Sequence, residues 1–186
     1  MARIQPQSYA EAPESVRAEW DRQTREHGRM TNMKRTLAHN PASLRALMEW
    51  YPLRDEVRLF LGERLTDLFA HALSAENDCL ICSTFFRRIL IERGEDPEHL
   101  ALDEHDRDVL EFARRLATGG HDVPDPLFAR LLTWLTPAQM VTLTAFGSLM
   151  LATNVVNNAL QVDLDEYLEP YRRHAGAPEG TSGARP

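Results

Sequence analysis

The chain has 186 residues, with 28 Asp and Glu against 21 Lys and Arg, and two cysteines. That length suits one compact domain around a single substantial core. The acidic balance lacks the basic footprint that a phosphate backbone requires, so nucleic acid is not an expected partner. The opening residues contain no apolar leader, and no run reaches the roughly 18 uninterrupted apolar residues of a membrane span, so the expectation is a cytoplasmic protein with no membrane partner.

The hydrophobic pattern is helical throughout, with no strand alternation, and predicts an all-α, multi-helix bundle. Residues 1–13 are polar and hold Pro6 and Pro13, which suits an extended arm ahead of one helical domain over 14–173. A first helix is expected over 14–27, ended by Gly28. Asn40 and Pro41 supply a cap and a first-turn proline for a helix to about Tyr51, which Pro52 is expected to stop. From 54 to 73, Val57, Leu61, Leu65, Leu68 and Ala72 make one stripe of a long helix, and Glu63, Asp67 and His71 follow a neighbouring stripe.

Either Asn77 or Asp78 is the expected cap of a helix over 79–93. Further helices are expected over 103–117, 126–134 and 136–160, the last apolar nearly all round and so central in the bundle or at a subunit contact. A short helix over 163–173 then precedes a tail, 174–186, whose composition reads as disordered. A faint internal echo relates the segment before the first long helix, with Trp50, to the one before the later helix, with Trp134. Gapless pairing sets Thr153 and Val156 opposite the cysteines.

The two cysteines lie three apart in the run Asp78-Cys79-Leu80-Ile81-Cys82. In a reducing compartment they form no structural disulfide framework, and the spacing points to a redox pair. At a helix start both share one face near free N–H groups and the positive end of the dipole, which lowers a thiol pKa of about 8.5 by about one unit. A further base or proton relay is then needed. Asp67 and His71 on the preceding helix are the candidates, while the Asp78 carboxylate opposes ionisation. The structural alternatives are two buried apolar cysteines, a packed or capping His71 and a solvated Asp67. Phe85, Phe86, Ile89 and Leu90 read as core.

The segment 33–166 resembles the carboxymuconolactone decarboxylase and alkyl hydroperoxidase D superfamily, especially its peroxidase-related members. The residues that carry the resemblance are LAHNPASLRAL, the acid twelve positions before DCLICSTFF, then LDEHDRDVLEFARRLAT and LMLATNVVNNAL. The resemblance implies a helical bundle that assembles as a homo-oligomer (dimer, trimer or hexamer) and reduces a small hydroperoxide at the expense of an external dithiol, with no bound cofactor. It casts Cys82 as the cysteine that attacks peroxide and Cys79 as the one that donates a proton and closes the disulfide. The family's glutamate falls on Asp67, one methylene shorter. Its histidine falls on Phe86, one turn beyond Cys82, and His71 is the expected partial replacement. The other readings are a zinc site built from Cys79, Cys82, His71 and Asp67, a lactone decarboxylase, and a helical oligomer without catalysis.

Overall fold

The computed structural model describes residues 2–173, so the expectation for 174–186 lies outside the described residues. Among the described residues there are eight α-helices and no strand: α1 (Glu14–His27), α2 (Asn32–Leu37), α3 (Pro41–Met48), α4 (Trp50–Glu76), α5 (Leu80–Glu92), α6 (Glu104–Ala117), α7 (Asp125–Leu131) and α8 (Pro137–Leu160). A 3₁₀ segment, Glu166–Tyr171, follows where a short α-helix was expected, and Pro170 sits inside it. The bundle is built on α4, which packs against α5, α6 and α8. A short helix followed by a long one occurs twice, as α3–α4 and α7–α8.

Several caps explain where the chain turns. Gly28 ends α1 at φ 85° and its N–H donates to the Thr24 carbonyl. Asn40 caps α3 by accepting from the N–H groups of Ala42 and Ser43, and Thr136 with Gln139 forms a reciprocal box at the start of α8. Glu49 separates α3 from α4, and Pro52 does not stop a helix: it lies in the first turn of α4. In a first turn the missing proline N–H removes no intrahelical bond. The apolar stripe of α4 also hides a break at Gly62, whose φ of 76° and ψ of 166° only glycine adopts readily. Residues 50–61 and 63–76 are thus two helical pieces.

The short helix α2 has no counterpart among the predicted elements. Thr31 caps it, accepting from the Lys34 N–H. Residues 3–7 of the arm pack against the rest of the chain. The Arg3 N–H donates to the Leu160 carbonyl at 2.9 Å and the Gln7 N–H to the Arg35 carbonyl at 3.1 Å. The Arg35 guanidinium returns a hydrogen bond to the Gln7 carbonyl at 3.1 Å.

Packed rings run through the core from Phe112 to Phe69, Phe146, Trp50 and Phe86, with successive centroids 5.9 to 6.5 Å apart. Phe86 and Leu90 are buried as expected, whereas Phe85 and Ile89 are only partly so. The buried stripe of α8 is Met140, Leu143, Phe146, Gly147, Met150, Thr153, Asn154 and Asn157, apolar at its start and polar at its end. The turn after α4 and the start of α5 meet that polar end.

Candidate active site

The turn from α4 to α5 is tight. Asn77 closes α4, and Asp78 takes a left-handed φ of 50°. Neither residue caps α5. The cap position belongs to Cys79, at φ −86° and ψ 97°, with no oxygen from a side chain on the first N–H groups. Cys79 thus stands at the start of α5, where the first N–H groups are left unpaired and the positive end of the dipole favours a negative sulfur.

Both sulfurs are buried and both cysteines are free thiols. Asn157 reaches them from α8, its Nδ2 lying 3.3 Å from Cys82 Sγ and 3.8 Å from Cys79 Sγ, while its Oδ1 is buried without a hydrogen-bond partner. The hydrogen bond from Cys82, then those from backbone and Asn157, pull the Cys79 thiol below its ordinary pKa against the effect of burial. Cys82 moves the other way. Its proton is held by Cys79, and burial and the neighbouring charge reinforce this, so its pKa lies well above the ordinary value. Of the two thiols, Cys79 is the more acidic.

Cys82 faces a small cavity of about 60 Å³. Its walls include Trp50, Tyr51, Phe85 and Phe86, and the C-terminal segment adds Asp165 and Tyr167. Lys34 of α2 also lines it. A larger, open groove of about 590 Å³ lies on the side of Asn157 and Asn158 and is lined by neither cysteine.

The structure gives Asp67 and His71 other surroundings. Asp67 is fully buried, not solvated. Its Oδ1 accepts from Arg54 at 2.7 Å and its Oδ2 from Arg93, which also holds Glu63 at 2.6 Å. His71 is half-buried on the same helix, and the packing around it pushes its pKa down to about 4, with the Arg87 charge acting in the same direction. It is a neutral imidazole at physiological pH. The side chain that reaches the thiols is instead Asn157, from α8. The zinc grouping is not assembled: among the described residues no three His, Cys, Asp or Glu side chains converge on a metal position.

Two residues were missed in the sequence. Asn157 could have been found as an amide at a core position of an otherwise apolar helix. Lys34 could have been found by counting, since it is the single lysine among 21 basic residues.

No protein-family model matches the sequence, and no curated protein matches it. Among solved structures the chain is similar to an uncharacterized peroxidase-related protein of Ralstonia eutropha JMP134 with the alkylhydroperoxidase AhpD core. Identity is 19%, 90% of this chain and 94% of that one are covered, and the TM-score is 0.70. A Cys-to-Ala variant of the debrominase Bmp8, in complex with 2,3,4-tribromopyrrole, is 16% identical over 90% of this chain and 94% of that one, with a TM-score of 0.74. A peroxidase-related protein of Silicibacter sp. TM1040 is 17% identical over 87% and 91%, with a TM-score of 0.66. At these identities the likeness is one of fold. The chain has the all-helical fold of the alkylhydroperoxidase AhpD core.

Proposed function

We propose that the protein is a thiol-dependent hydroperoxide reductase in which Cys79 and Cys82 cycle between dithiol and disulfide. The observation that carries this reading is the placement of two free, buried thiols under one amide: Asn157 Nδ2 reaches both sulfurs, Cys82 lines the cavity and Cys79 stands at the start of α5. As Cys82 attacks a peroxide oxygen, Cys79 takes its proton, so the raised Cys82 pKa is no obstacle. The resulting sulfenic acid meets the Cys79 thiol beside it, and the disulfide closes with loss of water. An external dithiol restores the pair by exchange, as the cytoplasm permits.

A second reading comes from the aromatic walls of Trp50, Tyr51, Phe85, Phe86 and Tyr167. They suit a planar ring, and the same two electrons would remove bromide from a bromoaromatic. The decisive assay follows consumption of tert-butyl hydroperoxide with dithiothreitol. Wild type is expected to turn over. Cys82→Ser is expected to be inactive, and Cys79→Ser, which loses the proton acceptor as well as the resolving thiol, to form slowly a sulfenic acid that dimedone traps and to go no further. A wild-type protein that consumes bromopyrrole and leaves peroxide untouched supports the second reading, and one inert to both is a helical scaffold. We further propose a homo-oligomer, assembled through exposed apolar side chains such as Leu59, Val141 and Val155, which light scattering would detect.

A further inference from the structure

Lys34 is the single lysine of the chain, and it is 3% exposed. A buried lysine is rare unless it is paired. Here the Nζ donates to the Arg29 carbonyl at 3.4 Å and lies 5.0 Å from the centre of the Tyr51 ring, and among the described residues no carboxylate forms an ion pair with it. Burial lowers its pKa to about 8. Arginine, used at every other basic position, stays protonated throughout this range and cannot serve as a proton donor.

The same cavity receives Cys82 from α5 and Tyr51 from α4, whose hydroxyl burial holds neutral with a pKa of about 12. The C-terminal segment contributes Tyr167 and Asp165; Asp165 Oδ1 accepts from the Asn32 N–H at 2.9 Å, while its Oδ2 is buried without a partner. From α1, His27 stacks on Tyr51 at 3.6 Å, and burial followed by the Lys34 charge lowers its pKa.

We propose that Lys34 is the catalytic acid of this site, giving its ammonium proton to the oxygen that leaves when Cys82 attacks the peroxide. Phe86 stands at the position the resemblance assigns to a histidine, and the proton is supplied from α2 instead. The step rests on the peroxide reading of the cysteine pair. Cys82 sulfur bonds to the terminal peroxide oxygen, the O–O bond breaks, and the departing alkoxide takes the Lys34 proton and leaves as alcohol. The Cys82 proton passes to Cys79. The Cys79 sulfur then attacks the sulfenic sulfur, hydroxide departs with the Cys79 proton as water, and solvent returns a proton to Lys34. Two electrons have moved from the thiol pair to the peroxide.

The test compares two electrophiles for the same thiol: tert-butyl hydroperoxide, whose alkoxide needs a proton, and iodoacetamide, whose iodide does not. In Lys34→Met, and equally in Lys34→Arg, the hydroperoxide rate is expected to fall about a hundredfold while alkylation of Cys82 stays within about threefold of wild type. In the wild-type protein the ratio of the two rates is expected to decline as pH rises through about 8. That profile carries the test alone if the variants do not fold. Equal losses for both electrophiles, an Arg variant as fast as wild type, or a flat wild-type ratio would overturn the role of Lys34. Wild-type protein that alkylates normally but is not oxidised by hydroperoxide overturns the peroxide reading, and this role with it.

Discussion

Asp67→Asn separates two roles for one carboxylate. The resemblance makes Asp67 a member of a proton relay, whereas its geometry makes it the hub of an ion-pair cluster joining the start of α4, at Arg54, to the end of α5, at Arg93. The amide keeps the shape and removes the charge. Each charged hydrogen bond contributes about 1.5–3 kcal/mol, and removing one partner of a buried pair costs about 3–5. Asp67 is fully buried and Arg54 is 17% exposed, but Arg93 is 36% exposed and keeps Glu63. The expected loss is therefore about 3 kcal/mol, at the low end of that range. In a chain of this length it lowers Tm by about 6–12 °C. Urea denaturation should show an earlier midpoint with an unchanged slope. Below the new transition, alkylation of Cys79 and Cys82 should match wild type. A variant with an unmoved midpoint but a failed peroxide turnover would show that Asp67 serves the thiols, and the structural account would be refuted.

Asn157→Leu removes the amide shared by the two sulfurs, so the pH at which the pair becomes alkylatable should rise, and peroxide consumption should slow at neutral pH. His71 is neutral when folded, with a pKa of about 4 against about 6.5 unfolded. The unfolded state then binds more protons between those values, so stability falls as pH drops from about 6.5 to about 4, and His71→Gln should flatten that part of a Tm-against-pH curve while leaving thiol alkylation unchanged. At Gly147 an added Cβ would sit 2.8 Å from Leu116 Cδ1 and 3.1 Å from Phe69 Cζ, so Gly147→Ala should destabilise by about 1–3 kcal/mol in urea denaturation despite its better helix propensity. Gly62→Ala meets no neighbour within 4 Å, yet its backbone conformation makes a loss of about 1–3 kcal/mol the expectation.

Periodicity revealed the long helices because each buries a continuous stripe, and α1 was legible to the residue because Gly28 marks its end. It failed where local chemistry and packing disagree. The six residues of α2 hold only Met33 and Leu37 as apolar positions, a single i, i+4 pair too short to read as a stripe, and their capping Thr31 is inconspicuous without one. Pro52 was read as a stop because a proline opening a helix and one closing it look alike in sequence. Gly62 went unseen because apolar residues continue on both sides of it. At the site, spacing alone singled out Cys79 and Cys82, which are neighbours in one turn. Their partners come from elsewhere: Asn157 lies 75 positions from Cys82, and Lys34 reaches the cavity from a helix that periodicity did not detect. Asp67 and His71 are expected at the thiols because they lie on the helix before them and Asp67 matches the glutamate of the resemblance, but a place on a helix does not say which neighbour a side chain faces.

The docked first residues have a practical consequence. Arg3 grips the last turn of α8, two and three positions beyond the amide that touches both sulfurs, and Gln7 clasps Arg35, the immediate neighbour of Lys34. The beginning of the polypeptide thus works as a strap across the two walls that bring an amide and an amine to the thiols. Trimming it, or hanging a purification handle on it, should disturb turnover well before it disturbs folding.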